Sequence, residues 1–215
     1  MELKSKTLFK EVRSVFIFSE MHALIARLSV LYEDLRIEMF GVIEESIPAL
    51  DYTDEKYRKN YFLRRSIATL IEVAEAFRML NACSDFERIK AEFDKTSLIR
   101  WKRALWFFDK FEPFLKKVRN DIGGHFGHPA ARYAIQNMGS SVVGKIEIAT
   151  EKSLTGVKLH FAGEIAVYAM VRHKGDKSPE DFVRYLIRII SIGYRQAFLS
   201  IDSINAYYLW PKFGG

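Results

Sequence analysis

The sequence predicts a mainly α fold: a helical bundle with a small three-stranded antiparallel β-meander inserted before the last helix. Three observations carry this. Apolar residues recur at intervals of three and four along most of the chain. The period shortens to two between about residues 144 and 173. A last, strongly apolar helical stretch then follows a turn. At 215 residues the chain fits one domain over 1–215, with the β insertion at about 144–173, and it is long enough to bury a core without staples.

From about Lys6 to Glu45 the stripe Met21, Leu24, Leu28, Leu31, Leu35, Met39 and Val42 predicts one long helix or two stacked end to end. Ile47-Pro48 ends it, because the residue before proline is pushed out of the helical region. The next helix is expected from about Asp54 to Asn81, capped by Thr53, with Leu63, Ile67, Leu70, Ala74 and Phe77 inward. Its first half, Lys56 to Arg65, mixes cations with tyrosines. That mixture suits either an RNA-contacting surface or tyrosines that pack beside solvated cations. Ser84-Asp85-Phe86-Glu87 has the form of a capping box and starts a short helix to about Phe93. Thr96 or Ser97 then caps a helix whose stripe is Trp101, Leu105, Phe108, Phe111, Leu115, Val118 and Ile122. The stripe stays in phase across Pro113, so a kink is expected there rather than a stop.

Gly123-Gly124 ends that helix, and another is expected from about Pro129 to Met138. Then Ile146 and Ile148, Val157, Leu159 and Phe161, and Ile165, Val167, Ala169 and Val171 alternate with their neighbours as three strands, with Ala162-Gly163 as a tight connection. Ser178-Pro179-Glu180-Asp181 combines an N-cap serine, an N-terminal proline and first-turn acid. The final helix reaches about Tyr207 and is apolar over much of its circumference, so either the bundle and sheet together or a second subunit must cover it.

Cys83 is the single cysteine, which excludes an internal disulfide and points to a reducing, cytoplasmic compartment. Charges threaded through the first residues exclude a signal peptide there, and no apolar run reaches the ~20 residues needed to cross a bilayer, so no membrane partner is expected. The net charge of +6 and pI near 9.3 suit an anionic partner, RNA in particular. The cations Arg100, Lys102, Arg103, Lys110, Lys116 and Lys117 on the helix leading to the diglycine outnumber Asp109 and Glu112.

The segment Arg119-Asn120-Asp121-Ile122-Gly123-Gly124-His125 holds the candidate chemistry. In a continuous helix Arg119 and His125 would differ by roughly 600° of rotation and point apart. Glycine accepts the left-handed backbone of a helix C-cap, so the diglycine allows the chain to turn His125 back toward Arg119. The residue types suit cleavage of RNA by its own 2′-hydroxyl. Imidazole, with an unperturbed pKa of ~6.5, moves protons. A planar guanidinium stabilises the extra charge on the phosphoryl oxygens. Asn120 orients the phosphate or the imidazole. No cofactor is needed for this chemistry, and His125 with His128 makes too sparse a set for a metal centre.

Arg119-Asn120 followed by His125 resembles the R-x(4–6)-H signature of HEPN-domain proteins, in which a polar residue commonly follows the arginine. The family's fold, an up-and-down helical bundle of about four helices, matches the helical frame and leaves the strands as an insertion. The resemblance implies a metal-independent endoribonuclease, of the kind found among toxin and phage-defence effectors, with a composite active site at a homodimer interface. It implies RNA as substrate and allows an antitoxin protein as a further partner. Arg119 carries over as the phosphate-binding and transition-state-stabilising residue, Asn120 as orienting and His125 as acid/base.

A non-catalytic helical module that binds nucleic acid or a partner protein is the alternative reading. In it, Arg119 caps the helix dipole and His125 is an ordinary loop residue. His160 and His173 read as structural, Cys83 as inert, and the row Arg184, Arg188 and Arg195 as a solvated face.

Overall fold

The computed structural model describes residues 11–16, 19–44, 55–122, 127–140, 142–148 and 157–214. After a short α1 (Val12–Val15) come α2 (Glu20–Ile43), α3 (Glu55–Ala82), α4 (Ser84–Glu92) and α5 (Lys95–Ile122). Next are α6 (His128–Asn137), the strands β1 (Ile146–Ile148) and β2 (Val157–Leu159), α7 (Phe161–Met170), and a 3₁₀ turn over Val171–His173. The chain ends in α8 (Pro179–Ile204), which runs through a π-helical turn, Asn205–Leu209, into α9 (Trp210–Gly214).

Helices α2, α3, α5 and α8 form an up-and-down bundle, each antiparallel to the helices that flank it. Between α2 and α3, Arg27 reaches Glu75 at 2.8 Å towards one end while Arg58 reaches the Gly41 carbonyl at 3.0 Å towards the other. Along α5, Trp101 donates to Asn81 Oδ1 at 3.0 Å and Glu112 meets Arg78 further back along α3. Phe114 packs on Phe182 at 6.0 Å and Ser200 on Arg100, which sets α8 antiparallel to α5. Tyr32 against Phe198 at 5.0 Å closes the square between α2 and α8. The core holds Leu28, Leu35, Ile67, Leu70, Phe77, Trp101, Phe108, Leu115, Phe182 and Leu186, all nearly inaccessible. Apolar burial of this kind stabilises a helix face by about 25 cal/mol per Å².

Local signals explain the boundaries. Ser19 accepts from the His22 amide and starts α2 after the short α1, so of the two expected forms, one long helix or two end to end, the second is the one seen. The α2 C-terminus lies deep enough that a side chain caps it: buried Arg58 donates to the carbonyls of Gly41, at 3.0 Å, and Glu44, at 2.9 Å. Ser178 accepts from the Asp181 amide at 3.1 Å and Pro179 opens α8, as expected. Helix α5 also runs through Pro113 without a stop. Two expected caps are not those that form. The α4 cap is Cys83 with no side-chain bond, and α5 is capped by Asp94, whose Oδ1 accepts from Ser97 N at 2.6 Å. Thr53 and Ile47-Pro48 lie outside the described residues.

The three-stranded meander over about 144–173 is not present, and the architecture is helical. Its third segment, Ile165 to Val171, lies in α7 and the turn after it, and the expected Ala162-Gly163 hairpin is the first turn of α7. The reason is compositional. From Phe161 to Val171 nearly every residue is apolar, so a period of two cannot be told from 3.6 there. Its alanines favour helix, and Gly163, Ala166 and Ala169 are buried at helical spacing, a small-residue face against the bundle. What stays extended is a short antiparallel ladder, Ile146↔Leu159 to Ile148↔Val157. The bundle itself covers the buried face of α8, including Leu186, Ile189, Ile190 and Ala197, without a sheet. No helix among the described residues is long and apolar enough to cross a membrane.

Candidate functional site

Helix α5 delivers the candidate residues. Trp101, Ala104, Phe107, Phe108, Leu115 and Val118 lock its inner face into the bundle. Arg119 follows Leu115 by one turn and is therefore half-buried at the edge of that face, while Asn120 is exposed. Arg119 Nη2 donates to Asn120 Oδ1 at 3.2 Å. This bond uses one part of the guanidinium fork, and such a fork has further N–H donors for a phosphate. Arg119 also lies in the last turn, where a cation complements the helix dipole. The structure thus brings Arg119 and Asn120 together. His125 and the diglycine lie outside the described residues. The chain leaves α5 at Ile122 and enters α6 at His128, which is exposed, so the expected start of α6 moves by one residue. Ala130 and Ala134 hold α6 against its neighbours.

The charges around this helix are unevenly committed. Glu112 is buried and takes Lys116 at 2.9 Å together with Arg78, so those cations are neutralised locally. Lys102, Arg103, Lys110 and Lys117 are exposed on the solvent side. Among them Trp106 is 60% exposed, and Lys110 Nζ lies 4.8 Å from its ring centroid. Trp106 lies off the apolar stripe, so the stripe does not single it out. The available signal was that same misfit, an indole placed out of phase between Arg103 and Lys110. A large exposed aromatic among cations is the stacking platform that single-stranded nucleic acid uses. Trp106 lies about 20 Å along α5 from Arg119, at ~1.5 Å per residue, and on a different side of the helix.

The Lys56–Arg65 stretch is mostly structural. Lys56 pairs with Glu164, Lys59 with Glu55 at 2.7 Å, and Arg58 caps α2. Buried Arg64 lies 5.7 Å from the Tyr57 ring and 6.0 Å from the Tyr61 ring. Packing with paired cations therefore explains this half of α3 better than an RNA surface does. Arg184, Arg188 and Arg195 are exposed, and Arg184 contacts Asp181 at 3.5 Å.

The α5 terminus shares its end of the bundle with the N-termini of α3 and α8. There a groove of about 800 Å³ is lined by Lys56, Lys59, Asn60, Val167, Val183 and Arg184 among others. Asn60 is buried at its floor and its Nδ2 donates to the Gly163 carbonyl at 3.5 Å. Among the described residues no cluster of three or more histidine, cysteine or acidic side chains is placed to hold a metal. Comparison of the chain with protein-family models, with curated proteins and with solved structures found no match.

Proposed function

We propose that the chain is a metal-independent endoribonuclease of the HEPN type, working in the cytoplasm as a homodimer with a composite site. The observation that carries this reading is the placement of Arg119 and Asn120, hydrogen-bonded side by side at the end of a helix whose solvent side is cationic. Arg119 binds the scissile phosphate and stabilises the charge that builds on its oxygens. His125, on the connection to α6, removes the proton from the 2′-hydroxyl or delivers one to the leaving 5′-oxygen. Asn120 holds the Arg119 fork in place and orients the phosphate. A toxin or phage-defence role, with an antitoxin protein as partner, extends the same reading.

The test is RNA cleavage in the presence of EDTA. The expected products end in 2′,3′-cyclic phosphate, and His125→Ala lowers the rate by about 10²–10⁴. Equal cutting by the His125→Ala protein overturns the proposal.

One observation favours a second reading, a non-catalytic module that binds nucleic acid or a partner protein. The Trp106–Lys110 pair is set apart from Arg119 and suits binding without cleavage. That reading predicts salt-sensitive RNA binding with no cut product, and loss of cleavage in Arg119→Ala would rule it out.

A further inference from the structure

The outer side of α2 carries apolar residues that the bundle leaves uncovered: Ile37 is 60% exposed, Phe40 52% and Ile43 64%. They border a depression of about 490 Å³ whose charged rim is Glu33, Arg36 and Glu44. Scattered exposed apolar residues are ordinary, but a contiguous stripe of large ones rimmed by charge marks a docking surface.

The order of residues along the stripe identifies the occupant. Counting outward from Phe40, an isoleucine stands three positions away on each side, Ile37 and Ile43. One position further stands a charge of opposite sign on each side, Arg36 and Glu44. Among these five residues the apolar order is symmetric about Phe40 and the charge order is antisymmetric, while Met39 and Glu33, which also line the depression, have no like counterpart. Antiparallel pairing of α2 with itself needs that combination. A two-fold axis at Phe40 sets the two phenyl rings against each other and puts Ile37 in one layer with Ile43 of the second copy. The same layer brings Arg36 to Glu44 of the second copy. Parallel pairing would instead set like charges side by side. Glu33 already holds the Arg36 guanidinium at 3.1 Å on the same helix, which limits its rotamers before the partner arrives.

We infer that the outer face of α2 is a homotypic docking surface that pairs two copies of this chain antiparallel about a two-fold axis at Phe40. Such a contact is isologous, each patch being its own complement. Helices α2 and α5 both pack on α3 and α8 and so occupy opposite corners of the bundle. The α2 contact is therefore different from the one that a composite nuclease site at the end of α5 requires, and it does not rest on the nuclease reading.

Sedimentation of the full chain over a micromolar concentration series tests it. The wild type is expected to associate with rising concentration, and Phe40→Asp to weaken that association at least about tenfold, equivalent to ~1.4 kcal/mol. Arg36→Glu alone and Glu44→Arg alone do the same, and the double charge swap restores association. Circular dichroism confirms that each variant is folded, as expected at exposed Arg36 and Phe40 and at half-buried Glu44, whose contact with Arg58 is made by its backbone carbonyl. A Phe40→Asp protein that sediments like the wild type overturns the inference, and so does a double swap that associates no better than the single variants. Cleavage assays on the same proteins judge the nuclease reading separately.

Discussion

Glu38 is 5% exposed, and its surroundings disagree about its charge. Burial pushes the carboxyl up, a hydrogen bond donated by Thr69 at 2.7 Å and the Arg65 guanidinium at 3.7 Å pull it down, and Asp34 and Glu72 add repulsion. Burial wins, and the carboxyl is raised from 4.5 to about 7. The folded state therefore holds this proton more tightly than the unfolded chain does. Its stabilising contribution is full below about pH 4.5 and is lost as pH rises through 7. Glu38→Gln keeps an acceptor for Thr69 without the charge. We expect it to gain about 1–3 kcal/mol on the wild type between pH 5 and pH 8, read from urea unfolding. A constant difference across that window contradicts the assignment. Arg119 was legible because the phase of the stripe fixes which side of α5 it takes. Trp106 was not, because a residue off the stripe has no packing partner in the sequence to announce it. At that position Trp106→Ala should weaken single-stranded RNA binding by about 1–3 kcal/mol. The melting temperature should barely move, since the indole is largely outside the core. Unchanged affinity in a filter-binding or fluorescence titration would show that the indole is not a platform.

Among the elements, the α2–α3 contact is set by one missing methyl group. A Cβ at Gly41 would lie 2.3 Å from the Phe62 ring. Alanine is favoured over glycine in a helix interior by about 1 kcal/mol, whereas forcing atoms into a packed contact costs about 1–3 kcal/mol. The clash is severe enough that the second effect dominates. Gly41→Ala is expected to lower the melting temperature, by roughly 2–4 °C for each kcal/mol lost in a chain of this size. A higher melting temperature would mean that Phe62 swings away freely. The bundle helices were legible because each has a polar face against which its stripe stands out. α7 was misread because its residues lack that contrast, and the helix preference of its alanines together with burial of Gly163, Ala166 and Ala169 selects helix there. The caps divided along similar lines. Ser178 worked as its local sequence suggests, while at Ser84 and Thr96 the chain began its helix earlier than the cap signal implied.

Across the whole molecule, the antiparallel square of α2, α3, α5 and α8 places the α5 terminus, the α3 and α8 N-termini and the α3–α7–α8 groove at one end. Regular stripes made the helices of that square predictable, whereas the pairing of α8 with α5 and α2 joins segments far apart in sequence. The meeting of residues from distant segments was not predictable. Nothing local shows that Lys56 will pair with Glu164 or that Arg58 will cap α2, so the basic–aromatic run of α3 could be read either as an RNA surface or as packing until the fold assigned its partners. If Arg119 does chemistry on RNA rather than merely closing a helix, the shape of its guanidinium matters beyond its charge. The most direct measurement is the rate of RNA cleavage in EDTA by the wild type and by Arg119→Lys, with RNA affinity measured on both. Lysine keeps the positive charge at the helix end but lacks the planar fork that grips two phosphoryl oxygens. The wild type is expected to cut, and Arg119→Lys to bind RNA about as well while cutting at least tenfold more slowly. Equal cutting rates, or a wild type that binds RNA and leaves it intact, would contradict that expectation.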